Sequence, residues 1–139
     1  MLKNVQRRAL QLMMLLSVTR CLALNVIIHA SNPLLVLNAA DVRHLFLHDI
    51  ASFPDGRAAH PYDNASLREY FYANVANKSA LQMRAYWARI VFTSAGSPPP
   101  SLADDAAVIS QIEHDHNAIG YVRDSSDLPR DIRVVLVIP

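Results

Sequence analysis

The sequence predicts an α/β domain in which a small, parallel or mixed sheet is flanked by helices. Residues 25–30 and residues 132–138 are short apolar runs rich in Val and Ile, which is typical of strands. Between these runs, segments that begin with polar cap residues carry apolar side chains at helical spacing. Strands that alternate with helices indicate an α/β fold, and 139 residues suit one domain.

The first predicted strand covers residues 25–30, and Pro33 follows soon after it. Asn38 is a good N-cap residue, and Asp41 lies three positions later, where a side chain can return the capping bond. A helix is therefore predicted from about Ala39 to Ile50.

The second predicted strand runs from Arg57 to Tyr62, and Asp63-Asn64 then turns the chain. Ser66 and Glu69 have the spacing of a capping box and predict the start of a second helix. Its predicted buried stripe consists of Leu67, Tyr70, Phe71 and Val75.

Ser79 and Gln82 repeat the capping-box pattern and predict a third helix. Its predicted apolar stripe consists of Met83, Tyr86, Trp87, Ile90 and Val91. A proline-rich loop over residues 94–101 follows it.

Ser101 and Asp104 are predicted to cap a fourth helix, whose inward residues are Val108, Ile109 and Ile112. Residues 118–122 and 132–138 then predict two more strands. The last of them is apolar without interruption, which predicts a strand covered on both faces.

Residues 1–23 are predicted to form an export signal, followed by a single domain over residues 24–139. Lys3, Arg7 and Arg8 precede an apolar stretch over residues 9–18, and small residues precede a cleavage site after Ala23. An uncleaved anchor or an ordinary amphipathic helix is the alternative. The expected location is the periplasm.

The charge distribution argues against nucleic-acid binding. Four of the 13 basic residues precede Leu24 and none of the 12 acidic residues does, so the rest of the chain has a net charge of −3. A nucleic-acid binder needs a basic patch or stripe. Cys21 is the only cysteine, so the chain cannot form an intramolecular disulfide.

Three stretches in order resemble the phosphate-binding proteins of bacterial ABC importers, which have the type II periplasmic-binding-protein fold. They are residues 38–56, the segment Pro61–Phe71, and Ala-Ile-Gly-Tyr-Val at 118–122. In the first stretch, Phe53 stands where the family usually has tryptophan, and His48 where it usually has glycine. The resemblance covers residues 25–139 and implies one lobe of the two-lobed parent fold.

The resemblance places a ligand site at residues 64–68, where the chain passes from a strand into a helix. The family seats phosphate on a Ser-Gly-Thr segment, to which Ala65, Ser66 and Leu67 correspond here. Ala65 and Leu67 therefore lack the hydroxyl groups that the family has at these two positions, and Ser66 replaces the glycine. The start of a helix still favours anions, because its first N–H groups have no partner within the helix. The candidate ligand-binding residues are Asn64, Ala65, Ser66, Leu67 and Arg68.

Histidine pairs offer weaker alternatives. His44 and His48 are four residues apart, a spacing that can bind zinc, but the sequence supplies no third ligand. Residues 113–116 are also rich in metal-binding side chains, although neighbours in sequence do not share a helix face. No metal or cofactor is predicted at either place.

The function expected from the sequence is non-catalytic. The chain has no G-x-S-x-G, Walker, Rossmann or H-E-x-x-H motif. The resemblance implies an exported solute-binding protein that takes phosphate or another small oxyanion and works with an ABC permease. The alternative is an interaction or signalling module that keeps the fold without the ligand and binds a sensor protein or a second copy of itself.

Overall fold

The computed structural model describes residues 22–124 and 126–139. The predicted export signal lies outside the described residues, apart from Leu22 and Ala23. Within the part of the chain that is described, no helix has both the length and the apolar composition needed to cross a membrane.

A mixed four-stranded sheet forms the centre of the fold. The strands β1 (Leu24–His29), β2 (His60–Pro61), β5 (Ala118–Arg123) and β6 (Ile132–Ile138) lie in the order β2-β5-β1-β6. β1 is antiparallel to both of its neighbours, whereas β2 runs parallel to β5. The prediction of a small mixed sheet is confirmed.

Two more strands form a separate parallel pair, β3 (Asp63–Asn64) with β4 (Ser101–Leu102). The helices are α1 (Ala39–Phe46), α2 (Arg68–Val75), α3 (Ala80–Phe92) and α4 (Asp105–His114).

Apolar side chains fill two clusters, and alternate residues of β1 contribute to them. Val26 and Ile28 belong to the larger cluster with α1, α2 and α3, whereas Ile27 belongs to the smaller one with α4. All three side chains are fully buried. Alternation of this kind is expected of a central strand that is covered on both faces.

Two of the predicted helix caps are confirmed. The Asn38 side chain accepts a hydrogen bond from Asp41 N at 2.7 Å, and Ser79 and Gln82 form both bonds of a capping box. In the fourth helix Asp104 is the cap, while Ser101 instead belongs to β4.

The prediction that the first helix reaches Ile50 is wrong, because the helix ends at Phe46. His48 has a left-handed backbone with φ of 66°, which an α-helix cannot continue. Glycine tolerates this conformation best, which gives a physical reason for the glycine usual at this position in the resembled family.

Three other sequence predictions are also wrong in extent. The strand predicted over residues 57–62 is reduced to His60–Pro61, because only these residues pair with β5. The predicted two-sided burial of β6 holds only in part, because Ile132 packs in the smaller cluster and Val135 in the larger, whereas Val137 is exposed. Val91 is exposed as well, although the sequence predicts it on the apolar stripe of α3.

Candidate functional site

The predicted ligand segment begins in β3 and is held in place by β4. Asp63 pairs with Ser101 and Asn64 with Leu102, and both Asp63 and Asn64 are completely buried. Ala65 N then donates to the Leu102 carbonyl at 2.8 Å. This pairing fixes the position at which the chain enters α2.

Asn64 uses both ends of its side-chain amide within the fold. Its Nδ2 donates to Asp105 Oδ1 at 2.7 Å and to the Tyr121 carbonyl at 3.1 Å. Its Oδ1 accepts from Ser66 N at 3.1 Å and from Ser66 Oγ at 2.6 Å. Asn64 therefore ties the turn to α4 and β5.

The predicted capping box of Ser66 and Glu69 is wrong. The N-cap residue is Leu67, and no side chain caps the helix. Ser66 cannot cap α2 because its hydroxyl is bonded back to Asn64, in a local turn typical of Asn and Ser.

Of the five predicted ligand residues, Arg68 lines a cavity between α2 and α3. Asn64 and Ser66 bond to each other, Leu67 is buried in the core, and Ala65 presents only a methyl group. The half-buried Arg68 places its Nε 3.5 Å from Asp63 Oδ2.

The first turn of α2 retains open backbone donors. Within residues 22–124 and 126–139, the N–H groups of Arg68, Glu69 and Tyr70 have no hydrogen-bond partner. Such groups, together with the helix dipole, favour a nearby anion. The Glu69 carboxylate lies in the same turn and already supplies one negative charge.

Beneath this turn lies the carboxylate of Asp63, enclosed by two phenols. Tyr72 and Tyr121 each donate to its Oδ1 at 3.0 Å. Burial raises the pKa of Asp63 to about 6, and the hydrogen bonds from the two tyrosines and the nearby charge of Arg68 limit the rise. The sequence pattern assigns Asp63 to a turn and gives no sign of these distant partners.

A cavity of about 260 Å³ opens between α2 and α3. Its lining combines two guanidinium groups, one carboxylate, one phenol and two apolar side chains: Arg68, Arg84, Glu69, Tyr72, Met83 and Ala80. Planar guanidinium groups bind phosphate and carboxylate groups through paired hydrogen bonds. The cavity is therefore suited chemically to a small oxyanion. The sequence does not predict Arg84 as a ligand residue, because Arg84 lies on the next helix, α3, outside the local segment 64–68.

The histidine pair does not share a helix face. His44 Nδ1 lies 2.9 Å from Asp49 Oδ2, whereas His48 lies beyond the end of α1. In the region covered by the structure, no group of three or more His, Cys, Asp or Glu side chains is arranged to hold a metal ion.

Comparison with protein-family models and with curated proteins gives no match. Solved structures do match. Their sequence identities to this chain are low, so the matches show a similarity of fold alone. A candidate phosphate ABC transporter substrate-binding protein from Clostridium perfringens, solved with bound phosphate, superimposes with a TM-score of 0.61 at 14% identity. An ABC-type phosphate transport receptor from Vibrio cholerae gives 0.63 at 9% identity. A candidate phosphate-binding protein from Planctomyces limnophilus gives 0.52 at 14% identity.

These matches cover most of this chain but less than half of each similar protein. The first two cover 82% of this chain and 44% and 45% of theirs, and the third covers 74% and 36%. The α/β architecture and its resemblance to phosphate-binding proteins, both predicted from sequence, are thus confirmed at the level of the fold. The chain has the fold of one lobe of a phosphate ABC transporter substrate-binding protein.

Proposed function

We propose that this protein is an exported, non-catalytic binding protein for a small oxyanion, with phosphate as the first candidate. The observation that carries the proposal is the cavity lined by Arg68 and Arg84 beside the open first turn of α2. Support also comes from the fold, since one of the similar proteins was solved with bound phosphate.

The chemistry of the cavity favours a compact anion that is rich in acceptors. Two guanidinium groups supply donors, whereas the single phenol proton of Tyr72 is already donated to Asp63. Asp63 and Glu69 hold negative charge near Arg68, so an anion must compete with them for the guanidinium group. We therefore expect moderate affinity.

The proposed physiological setting is uptake across a membrane. The basic and apolar residues 1–23 support export, with cleavage after Ala23. In this setting the protein binds its solute in the periplasm and delivers it to an ABC permease.

Calorimetry on the full chain, with phosphate and sulfate in separate titrations, tests the binding proposal. We expect saturable heat with phosphate in the micromolar to millimolar range. Arg84→Gln should weaken binding roughly tenfold, which corresponds to the loss of a hydrogen bond to a charged group. Arg84 is exposed, so this change leaves the core intact.

Arg130→Gln is the matched control, because it removes the same charge from an exposed position outside the cavity lining. The control should bind as the unmodified chain does. Absence of heat for both anions up to millimolar concentrations would rule out the proposal.

A second candidate is an interaction module that has the fold but binds a protein, such as a sensor or a second copy of the chain. This candidate is favoured because the side chains of Asn64 and Ser66 form hydrogen bonds within the fold. Few side chains of residues 64–68 therefore remain free to bind an anion. Any such surface lies away from Tyr72 and Trp87, because both are buried. Light scattering at high protein concentration tests the self-association version, which a strict monomer would rule out.

A further inference from the structure

The outward face of α3 has an apolar stripe that nothing in the described chain covers. Leu81, Ala85, Ala88 and Phe92 are spaced four, three and four residues apart, so they lie along one side of the helix. The side chain of Leu81 is 70% exposed and that of Phe92 is 90% exposed. The opposite side of α3 packs on the core through Met83 and Trp87.

Cations flank this stripe, and two acids from neighbouring elements lie near it, Glu69 in the cavity with Arg84 and Asp49 close to Tyr86. Arg84 and Arg89 lie on its two sides, and Lys78 precedes the helix. Between Glu69 and Asp104 the sequence contains no Asp or Glu. This local cationic character contrasts with the net negative charge of the chain beyond residue 23.

A shallow depression beside the stripe brings two of these cations together. It has a volume of about 350 Å³ and is lined by Lys78, Gln82, Ala85, Tyr86 and Arg89. Lys78 Nζ lies 5.8 Å from the centre of the Tyr86 ring, and Arg89 Cζ lies 5.6 Å from it. One ring thus holds two positive groups at the edge of the apolar stripe.

We propose that the outward face of α3 docks on an anionic phospholipid surface. Leu81 and Phe92 enter the boundary between head groups and acyl chains, while Lys78 and Arg89 meet the lipid phosphates. A helix with an apolar face and flanking Lys or Arg is the usual form of an interfacial helix. The electrostatic attraction of each cation adds to the burial of the apolar stripe.

Charge complementarity selects this occupant over a second copy of the chain. Two copies that met through this face would bring Lys78, Arg84 and Arg89 of each copy together, and α3 itself carries no acid to pair with them. Like charges in contact oppose association. A lipid surface with anionic head groups has the opposite charge and is apolar beneath.

The test places a fluorescent reporter on the stripe. The full chain with Cys21→Ser and Ala88→Cys is labelled with an environment-sensitive dye and mixed with vesicles. One set contains phosphatidylglycerol and phosphatidylcholine in equal parts, and the other contains phosphatidylcholine alone. We expect brighter, blue-shifted emission with the anionic vesicles only, declining as salt is raised. A dye at Asp127→Cys, on an exposed loop elsewhere, should not respond.

Variants then test the residues that carry the interaction. Lys78→Gln and Arg89→Gln should each weaken partitioning about fivefold, and Phe92→Ser about tenfold or more. Arg130→Gln, the matched control, removes an exposed cation outside α3 and should have little effect. Far-UV circular dichroism checks that each variant keeps its fold.

Three results would overturn the proposal. They are a silent dye at position 88, an equal response to both vesicle types, and variants that partition as the unmodified chain does. The first would leave an acidic protein surface as the occupant, and the last would assign vesicle binding to another part of the chain. Neither Lys78 nor Arg89 lines the oxyanion cavity, so this experiment and the phosphate titration succeed or fail independently.

Discussion

At the scale of single residues, Asp63 shows how a local pattern and its final environment can differ. An aspartate followed by an asparagine is a common turn signal. Here the Asp63 carboxylate is fully buried and accepts hydrogen bonds from Tyr72, nine residues away, and Tyr121, 58 residues away. No local pattern contains the second of these contacts, so the sequence predicts the position of the segment and not the role of this carboxylate.

The buried carboxylate predicts a specific dependence of stability on pH. Burial raises the pKa of Asp63 to about 6, from 3.8 in an unperturbed side chain. Between these values the folded protein binds more protons than the unfolded chain, so the free energy of unfolding falls as pH rises. Relative to Asp63→Asn, the unmodified chain should lose up to about 3 kcal/mol between about pH 4 and pH 7.

Urea denaturation of both proteins across this pH range measures the difference. Taking the difference between the two proteins cancels the contributions of other carboxylates and of the histidines. Asp127→Asn is the control, because it removes an exposed carboxylate and should not reproduce the trend. A stability difference between the unmodified chain and Asp63→Asn that does not change with pH would contradict a raised pKa.

At the scale of elements, the contact between α4 and β5 explains the glycine of the Ala-Ile-Gly-Tyr-Val stretch. A Cβ atom at Gly120 would lie 2.5 Å from Val108 Cγ1 and 3.5 Å from Ile112 Cδ1. Only glycine lets the helix approach the strand this closely. Gly120→Ala should therefore destabilise the protein by about 1–3 kcal/mol, as overpacked cores do.

A double-mutant cycle with Val108→Ala separates this crowding from other effects of Gly120→Ala. If the clash with Val108 is the cause, Gly120→Ala should cost much less stability in the Val108→Ala background. Denaturation in urea, followed by the fluorescence of Trp87, measures all four proteins. Equal costs in both backgrounds would mean that Val108 is not the source of the destabilisation.

The sequence predicts correctly those elements whose interactions join residues close together in the chain. The caps at Asn38 and Ser79 depend on residues three positions away, and the sequence predicts both. The capping box at Ser66 fails because Asn64 competes for its hydroxyl. The composition of residues 132–138 predicts the strand β6. Its position at the edge of the sheet depends instead on how the other strands pair.

The candidate site follows the same division. The sequence predicts the start of α2 and Arg68 as part of a ligand site from one local stretch, and Arg68 lies beside a cavity in the structure. That residues 64–68 bind a ligand stays a prediction. Arg84 and Tyr72 complete the lining only once α2 and α3 pack together. A pattern confined to residues 64–68 cannot indicate how the two helices meet.

At the scale of the whole molecule, β1 joins both sides of the fold. It lies between β5 and β6 in the sheet, and its residues alternate between the two apolar clusters. Neither cluster can lose this strand and remain intact. We therefore expect the domain to unfold in one cooperative transition, as small single domains usually do.

Ile27→Ala tests whether the two apolar clusters unfold together, because Ile27 and the reporter Trp87 lie in different clusters. Ile27 packs in the smaller cluster with α4, whereas Trp87, the single tryptophan of the chain, packs in the larger cluster on α3. The substitution should cost roughly 2–5 kcal/mol through the lost burial and the cavity it leaves. Because β1 joins the clusters, the urea midpoint reported by Trp87 fluorescence should fall together with that reported by circular dichroism. Val137→Ala, on the exposed side of β6, should move both midpoints little. If Ile27→Ala lowers the dichroism midpoint and leaves the Trp87 midpoint unchanged, the two sides of the sheet unfold separately.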